Sequence, residues 1–85
     1  MKLSEHLDRV AELGCSLCAH LGFGATPAQV HHVFNTSGRW DYLAIPLCRE
    51  HHVGATGFHT LRRKEFERRY GVTEYDLLDW TLRRL

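Results

Sequence analysis

"PLCREHH", residues 46–52, sets Cys48 two residues ahead of the first of two adjacent histidines, His51 and His52. The same gap separates Cys15 from Cys18 in "CSLC". Zinc takes four tetrahedral thiolate or imidazole ligands, and a two-residue gap lets one tight turn present two of them to a single ion. Either half-site alone carries little weight, because an isolated C-x-x-C also serves as a redox pair. Together, Cys15, Cys18, Cys48 and His51 predict a structural Cys3His zinc site that clamps an N-terminal knuckle to the segment after Pro46. His20 and His52 remain alternatives to His51 as fourth ligand, though neither keeps the gap. The competing reading is two buried cysteines and an unrelated third.

Composition points the same way. A chain of 85 residues buries only about 60–65% of its unfolded surface, so an apolar core alone is marginal. Small domains compensate with disulfides, a metal or oligomerisation. Three cysteines, an odd number, and seven histidines favour metal over a secreted disulfide scaffold. The opening "MKLSEHLDRVAEL" carries charges every few residues, unlike a signal sequence or a membrane span. These features predict a cytoplasmic protein with reduced thiols and no membrane association. The formal net charge of +1 is no nucleic-acid signature, although Arg62, Arg63, Lys64, Arg68 and Arg69 crowd one stretch. A solvated helix face, with Glu65 and Glu67 interleaved, explains that cluster equally well.

The pattern along the chain is α+β. Residues 4–13 read as an amphipathic helix with Ser4 as N-cap and Gly14 as stop. "AQVHHVF" and "YLAIP", the latter ended by Pro46, read as two short strands forming a hairpin across the turn "NTSGRWD". A helical turn over 49–53 should follow, then a helix over 60–70 stopped by Gly71. "TEYD" resembles a capping box that opens a last helix at Thr73.

Zinc accounts for His51 and leaves His31, His32 and His52. Neighbouring residues on a helical turn point about 100° apart, and on a strand they point to opposite faces. Members of one doublet therefore suit different tasks. The pattern predicts a divalent metal held by His31 and His52, which would polarise a phosphate oxygen. His32 would take a proton from the attacking water, since a free imidazole is mostly neutral near pH 7. The bland alternative for each histidine is a surface or capping residue.

C-x-x-C, a His-His doublet and "DYLAIPLCREHH" together resemble the HNH nucleases, the ββα-metal (treble-clef-like) endonucleases. "GFHTLRRKEFERRYGV" is similar to the small phage and prophage branch that includes RecA-dependent recombination-enhancement nucleases. The resemblance spans about residues 7–72. It implies a single HNH nuclease-like domain over residues 1–85, a zinc-bracketed hairpin and helix with flanking N- and C-terminal helices. It implies His31 and His52 as ligands of a catalytic Mg, Mn or other divalent ion, His32 as general base, and His51 where many relatives have a fourth zinc cysteine. It assigns His59 a third-ligand or phosphate-contact role. The family's middle asparagine has no clear counterpart: Asn35 follows the base too closely, and Asp41 takes its place. A carboxylate at Asp41 would orient the base or hold the hairpin loop; a plain turn residue is the competing reading.

The implied substrate is DNA, cleaved to leave 5′-phosphate ends, with a recombination protein as the implied partner. Arg39, Arg62 and Arg63 are the phosphate-contact candidates. Two other classes compete. A non-catalytic treble-clef zinc module binding nucleic acid or a protein would not need His31, His32 and His52 together. A zinc-stabilised protein-interaction domain would rest on exposure of Trp40 and Trp80, residues that more often serve the core.

Overall fold

A computed structural model describes residues 1–35 and 38–85, apart from the side chains of 35, 38 and 39. Its elements run α1 (Leu3–Glu12), α2 (Ser16–Leu21), β1 (Gln29–Asn35), β2 (Gly38–Leu47), α3 (Arg49–Val53), α4 (Phe58–Tyr70) and α5 (Glu74–Arg84). The two strands form one antiparallel sheet, with His31 opposite Ile45 and His32 opposite Ala44. The register slips between His32 and Phe34, beyond which Phe34 faces Arg39 along the backbone. The molecule is α+β, a two-stranded hairpin with helices around it.

The hairpin supplies Val33, Ile45 and Leu47 to a core completed by Leu17 of α2, Phe66 of α4, Val72, and Leu77 and Leu78 of α5. Phe66 anchors it, fully buried and stacked edge-on against Phe58 and Tyr70. Cys15 and Cys18 belong to the same cluster, so the proposed zinc ligands are continuous with the apolar core. Ser16, also fully buried, donates its hydroxyl to the Pro46 carbonyl at 2.8 Å and ties α2 to β2.

Several boundaries differ from the sequence reading, the largest being that β2 begins at Gly38 and takes in residues 38–41 of the expected turn. Ser4 is inside α1; the N-cap position is Lys2, which makes no side-chain cap. Pro46 does not end its strand but pairs with Val30. In a two-stranded sheet each strand keeps one unpaired edge, where a missing N–H costs no ladder bond. The start of α4 falls at Phe58 rather than about residue 60, because Gly57 serves as N-cap. A Cβ on Gly57 would lie 2.5 Å from the Glu50 carbonyl oxygen and 2.8 Å from the His52 carbonyl carbon. Glycine there lets the start of α4 press onto α3, which sets His59 beside His52.

The remaining boundaries follow local chemistry. Gly71, at φ +66°, closes α4 in a left-handed cap. Thr73 caps α5: its hydroxyl accepts from the Asp76 backbone N–H, and the Asp76 carboxylate accepts from the Thr73 N–H. Inside α4, Arg62 departs from helical geometry at φ 70° and ψ 165°, a region that is essentially glycine's alone. Among the described residues no helix is long and apolar enough to cross a membrane.

Two candidate metal centres

Cys15 and Cys48 are the N-cap residues of the short helices α2 and α3. Each turn thereby delivers its own pair of donors, Cys15 with Cys18 and Cys48 with His51. The four donor atoms all lie within 4.8 Å of one another. Sulfur–sulfur separation between Cys18 and Cys48 is 3.8 Å. His51 Nδ1 stands 3.7 Å from Cys15 Sγ, 3.5 Å from Cys18 Sγ and 3.3 Å from Cys48 Sγ. Metal–ligand distances of about 2.3 Å for sulfur and 2.0 Å for nitrogen, at tetrahedral angles, put sulfur pairs about 3.8 Å and sulfur–nitrogen pairs about 3.5 Å apart. The set fits zinc. Burial, opposed by the neighbouring Glu50 carboxylate, lowers the pKa of His51 and keeps the ring neutral as a ligand must be. His20 is exposed, and no donor group of the described residues includes it. The Cys18 N–H also donates to Cys15 Sγ at 3.3 Å.

A second group forms on the other side of α3. His31, His52 and His59 each bring one nitrogen to within 4.8 Å of the other two. His52 Nε2 and His59 Nε2 are 3.2 Å apart, inside the about 3.0–3.4 Å expected of two nitrogens sharing one ion at about 2.0–2.1 Å. His52 donates from Nδ1 to Gln29 Oε1 at 2.9 Å, which puts its lone pair on Nε2, facing His59. The neighbouring histidines serve different groups: His51 stands against the thiols, His52 against the imidazoles.

A cavity of about 270 Å³ opens beside His59, lined by His31, His32, Phe34, Phe58, Arg62 and Glu74, among others. Both members of the first doublet border it, although strand alternation makes His31 buried and His32 only half-buried. The register slip lies immediately past His32, where irregular pairing increases twist and re-aims side chains. The pKa of His52 is pushed down to about 4, first by burial and then by His31 and His59. That of His59 is lowered by burial, His31 and Arg62, against the pull of Glu74. Both rings are therefore held neutral, with lone pairs available.

The other expected site residues divide. Arg62 lines the cavity, and so does Arg63, but Arg63 is already engaged: its Nη2 donates to Glu74 Oε1 at 2.5 Å and to the Phe34 carbonyl at 3.3 Å. Asp41 is exposed on β2 and is not part of the cavity lining. The Arg39 side chain lies outside the described residues. In the rest of the basic stretch, Arg68 pairs with Glu65 on the surface. Trp40 is 56% exposed, whereas Trp80 is half-buried with the Arg84 guanidinium 4.1 Å from its ring centre.

Three contributors escaped the sequence reading. Glu74, 2% exposed, accepts from His31 Nε2 at 2.6 Å. Gln29 fixes His52, and the Phe58 ring walls His31 at a centroid distance of 4.4 Å. Only Glu74 had a visible signal, an acid directly after a capping threonine, and that position has an ordinary explanation in the helix dipole. The chain matches no protein-family model, and no curated protein or solved structure is significantly similar to it.

Proposed function

We propose that the protein is a metal-dependent endonuclease that hydrolyses DNA phosphodiester bonds, of the HNH type with a treble-clef-like ββα-metal core. The observation that carries the reading is the convergence of His31, His52 and His59 on one point, with His32 bordering the same cavity. Three imidazoles converging at the edge of a cavity are not needed by a module that requires zinc only for folding. Cys15, Cys18, Cys48 and His51 would hold that structural zinc.

His31, His52 and His59 would hold the second divalent ion, with Mg and Mn the expectation from resemblance; imidazole donors also suit Zn, Ni and related metals. When bound, the ion supplies Lewis-acid stabilisation of charge on phosphate oxygens. The chain's own residues do the rest. An imidazole nitrogen of His32 accepts a proton from water as it attacks phosphorus in line with the leaving 3′-oxygen, leaving a 5′-phosphate end. The Arg62 guanidinium holds a non-bridging or flanking phosphate oxygen. Phe58 and the apolar wall exclude bulk water from one side, which strengthens each charge interaction inside.

Plasmid nicking with added Mg, Mn or Zn ions tests the reading. His32→Ala should lower the rate about 10²–10⁴-fold while the circular dichroism spectrum stays that of the wild type. Equal nicking by both proteins removes His32 as base. No nicking by the wild type under any ion removes the activity.

A further inference from the structure

Glu74 stands outside the set of metal donors, yet it is among the most buried residues of the chain. A carboxylate 2% exposed needs partners for both oxygens, and both are taken. Arg63 Nη2 donates to Oε1 at 2.5 Å, and His31 Nε2 stands 2.6 Å from Oε2. The guanidinium of Arg63, charged at any ordinary pH, pairs with Oε1 and holds the group as a carboxylate. Its position is fixed from behind as well. The Glu74 backbone N–H donates to Glu67 Oε2 at 2.7 Å, and the Thr73–Asp76 capping box sets where α5 begins.

An ionised carboxylate can only accept, so the proton between it and His31 sits on Nε2. A neutral imidazole protonated at Nε2 carries its lone pair on Nδ1. That nitrogen is buried and has no hydrogen-bond partner, one of two such side-chain atoms among the described residues. Buried polar atoms are rarely left so unless something binds them, and His52 and His59 are the neighbouring open donors.

We propose that Glu74 is a positioning residue: it locks His31 in the Nε2–H tautomer and holds its Nδ1 lone pair open toward the ion site, with Arg63 bracing the carboxylate. This rests on the metal-binding reading of the preceding subsection. It assigns a task to the C-terminal helix, whose first residue reaches from α5 to β1, and it withdraws Arg63 from direct phosphate contact. A carboxylate behind a metal-bound histidine raises the ligand's basicity and fixes its ring, and loss of such a partner costs about 10–100-fold in metal affinity.

Two measurements on the zinc-replete protein test it. Long-range proton–nitrogen correlation of the imidazoles, before any second ion is added, should show His31 protonated at Nε2 and not at Nδ1; a purely structural ion pair would hold it as an imidazolium protonated at both. Co²⁺ titration, followed through its visible bands without new thiolate absorption, should give a wild-type second site that Glu74→Gln weakens about 10–100-fold. Protonation at Nδ1 in the wild type overturns the proposal, even if Glu74→Gln fails to fold. Equal Co²⁺ affinity in wild type and a folded Glu74→Gln overturns it while leaving the metal site standing. A wild type that takes up no second ion overturns both.

Discussion

The two donor groups share α3 but differ in almost every physical respect. The Cys3His set has four donors at tetrahedral separations, two of its cysteines fully enclosed and His51 only 8% exposed. The imidazole set has three donors, one buried, one half-buried and one exposed, at the edge of a cavity. Structural zinc sites are closed, whereas catalytic sites keep a position open for water or substrate. A single residue step, from His51 to His52, separates the two uses, because adjacent residues on a helical turn diverge. On the proposed reading, the first group would make the fold and the second would use it.

Breaking the first group should have the largest effect. Structural zinc supplies about 10–16 kcal/mol of apparent binding energy, more than a domain of this size has in stability. Cys48→Ala, or prolonged chelation, should abolish the cooperative thermal transition followed by circular dichroism. His52→Ala should leave that transition in place, and its loss would show that both groups hold the fold together.

A pH series sharpens the contrast. His52 falls from an ordinary 6.5 to about 4 in the folded chain, through burial first and then His31 and His59. Between these values the unfolded chain binds the proton and the folded chain does not, so stability rises with pH across this window. Zinc-replete protein without a second ion should therefore melt progressively lower as pH falls from 6.5 toward 4. The slope should be shallower in His52→Gln, and an unchanged slope would show that the zinc ligands alone set it.

The smallest effect separates stability from binding at one residue. Arg62 holds a backbone conformation suited to glycine, worth of order 1–3 kcal/mol of strain. Arg62→Gly should raise stability by about 1 kcal/mol in urea unfolding, after the entropy glycine adds to the unfolded chain. The same change should weaken DNA binding and lower the salt slope by about 1. A destabilised variant with unchanged binding would mean that the kink serves packing.

How much of this the sequence disclosed depended on distance along the chain. Cys15 and Cys18, or Cys48 and His51, are joined by one turn, and turn geometry is written in spacing. The start of α5 was legible for the same reason, because Thr73 and Asp76 cap within one turn. Ser4 and Pro46 misled because local preference yields to packing and to the free edge of a two-stranded sheet. Glu74 lies 43 residues from His31, and no local rule links the first turn of a last helix to a first strand. Nor could Arg62 be told from Arg63 by charge alone. Both line the cavity, and their difference lies in Arg63's bonds to Glu74 and to the Phe34 carbonyl.

Counting ions per chain is the most direct test of the division between the two groups. Protein loaded with zinc and Co²⁺, dialysed briefly against a weak chelator, should keep one zinc and release one cobalt. In His52→Ala it should keep the zinc and never take up the cobalt. Release of both ions together, or retention of a single ion whether or not His52 is present, would contradict the separation of a fold-making site from a working one.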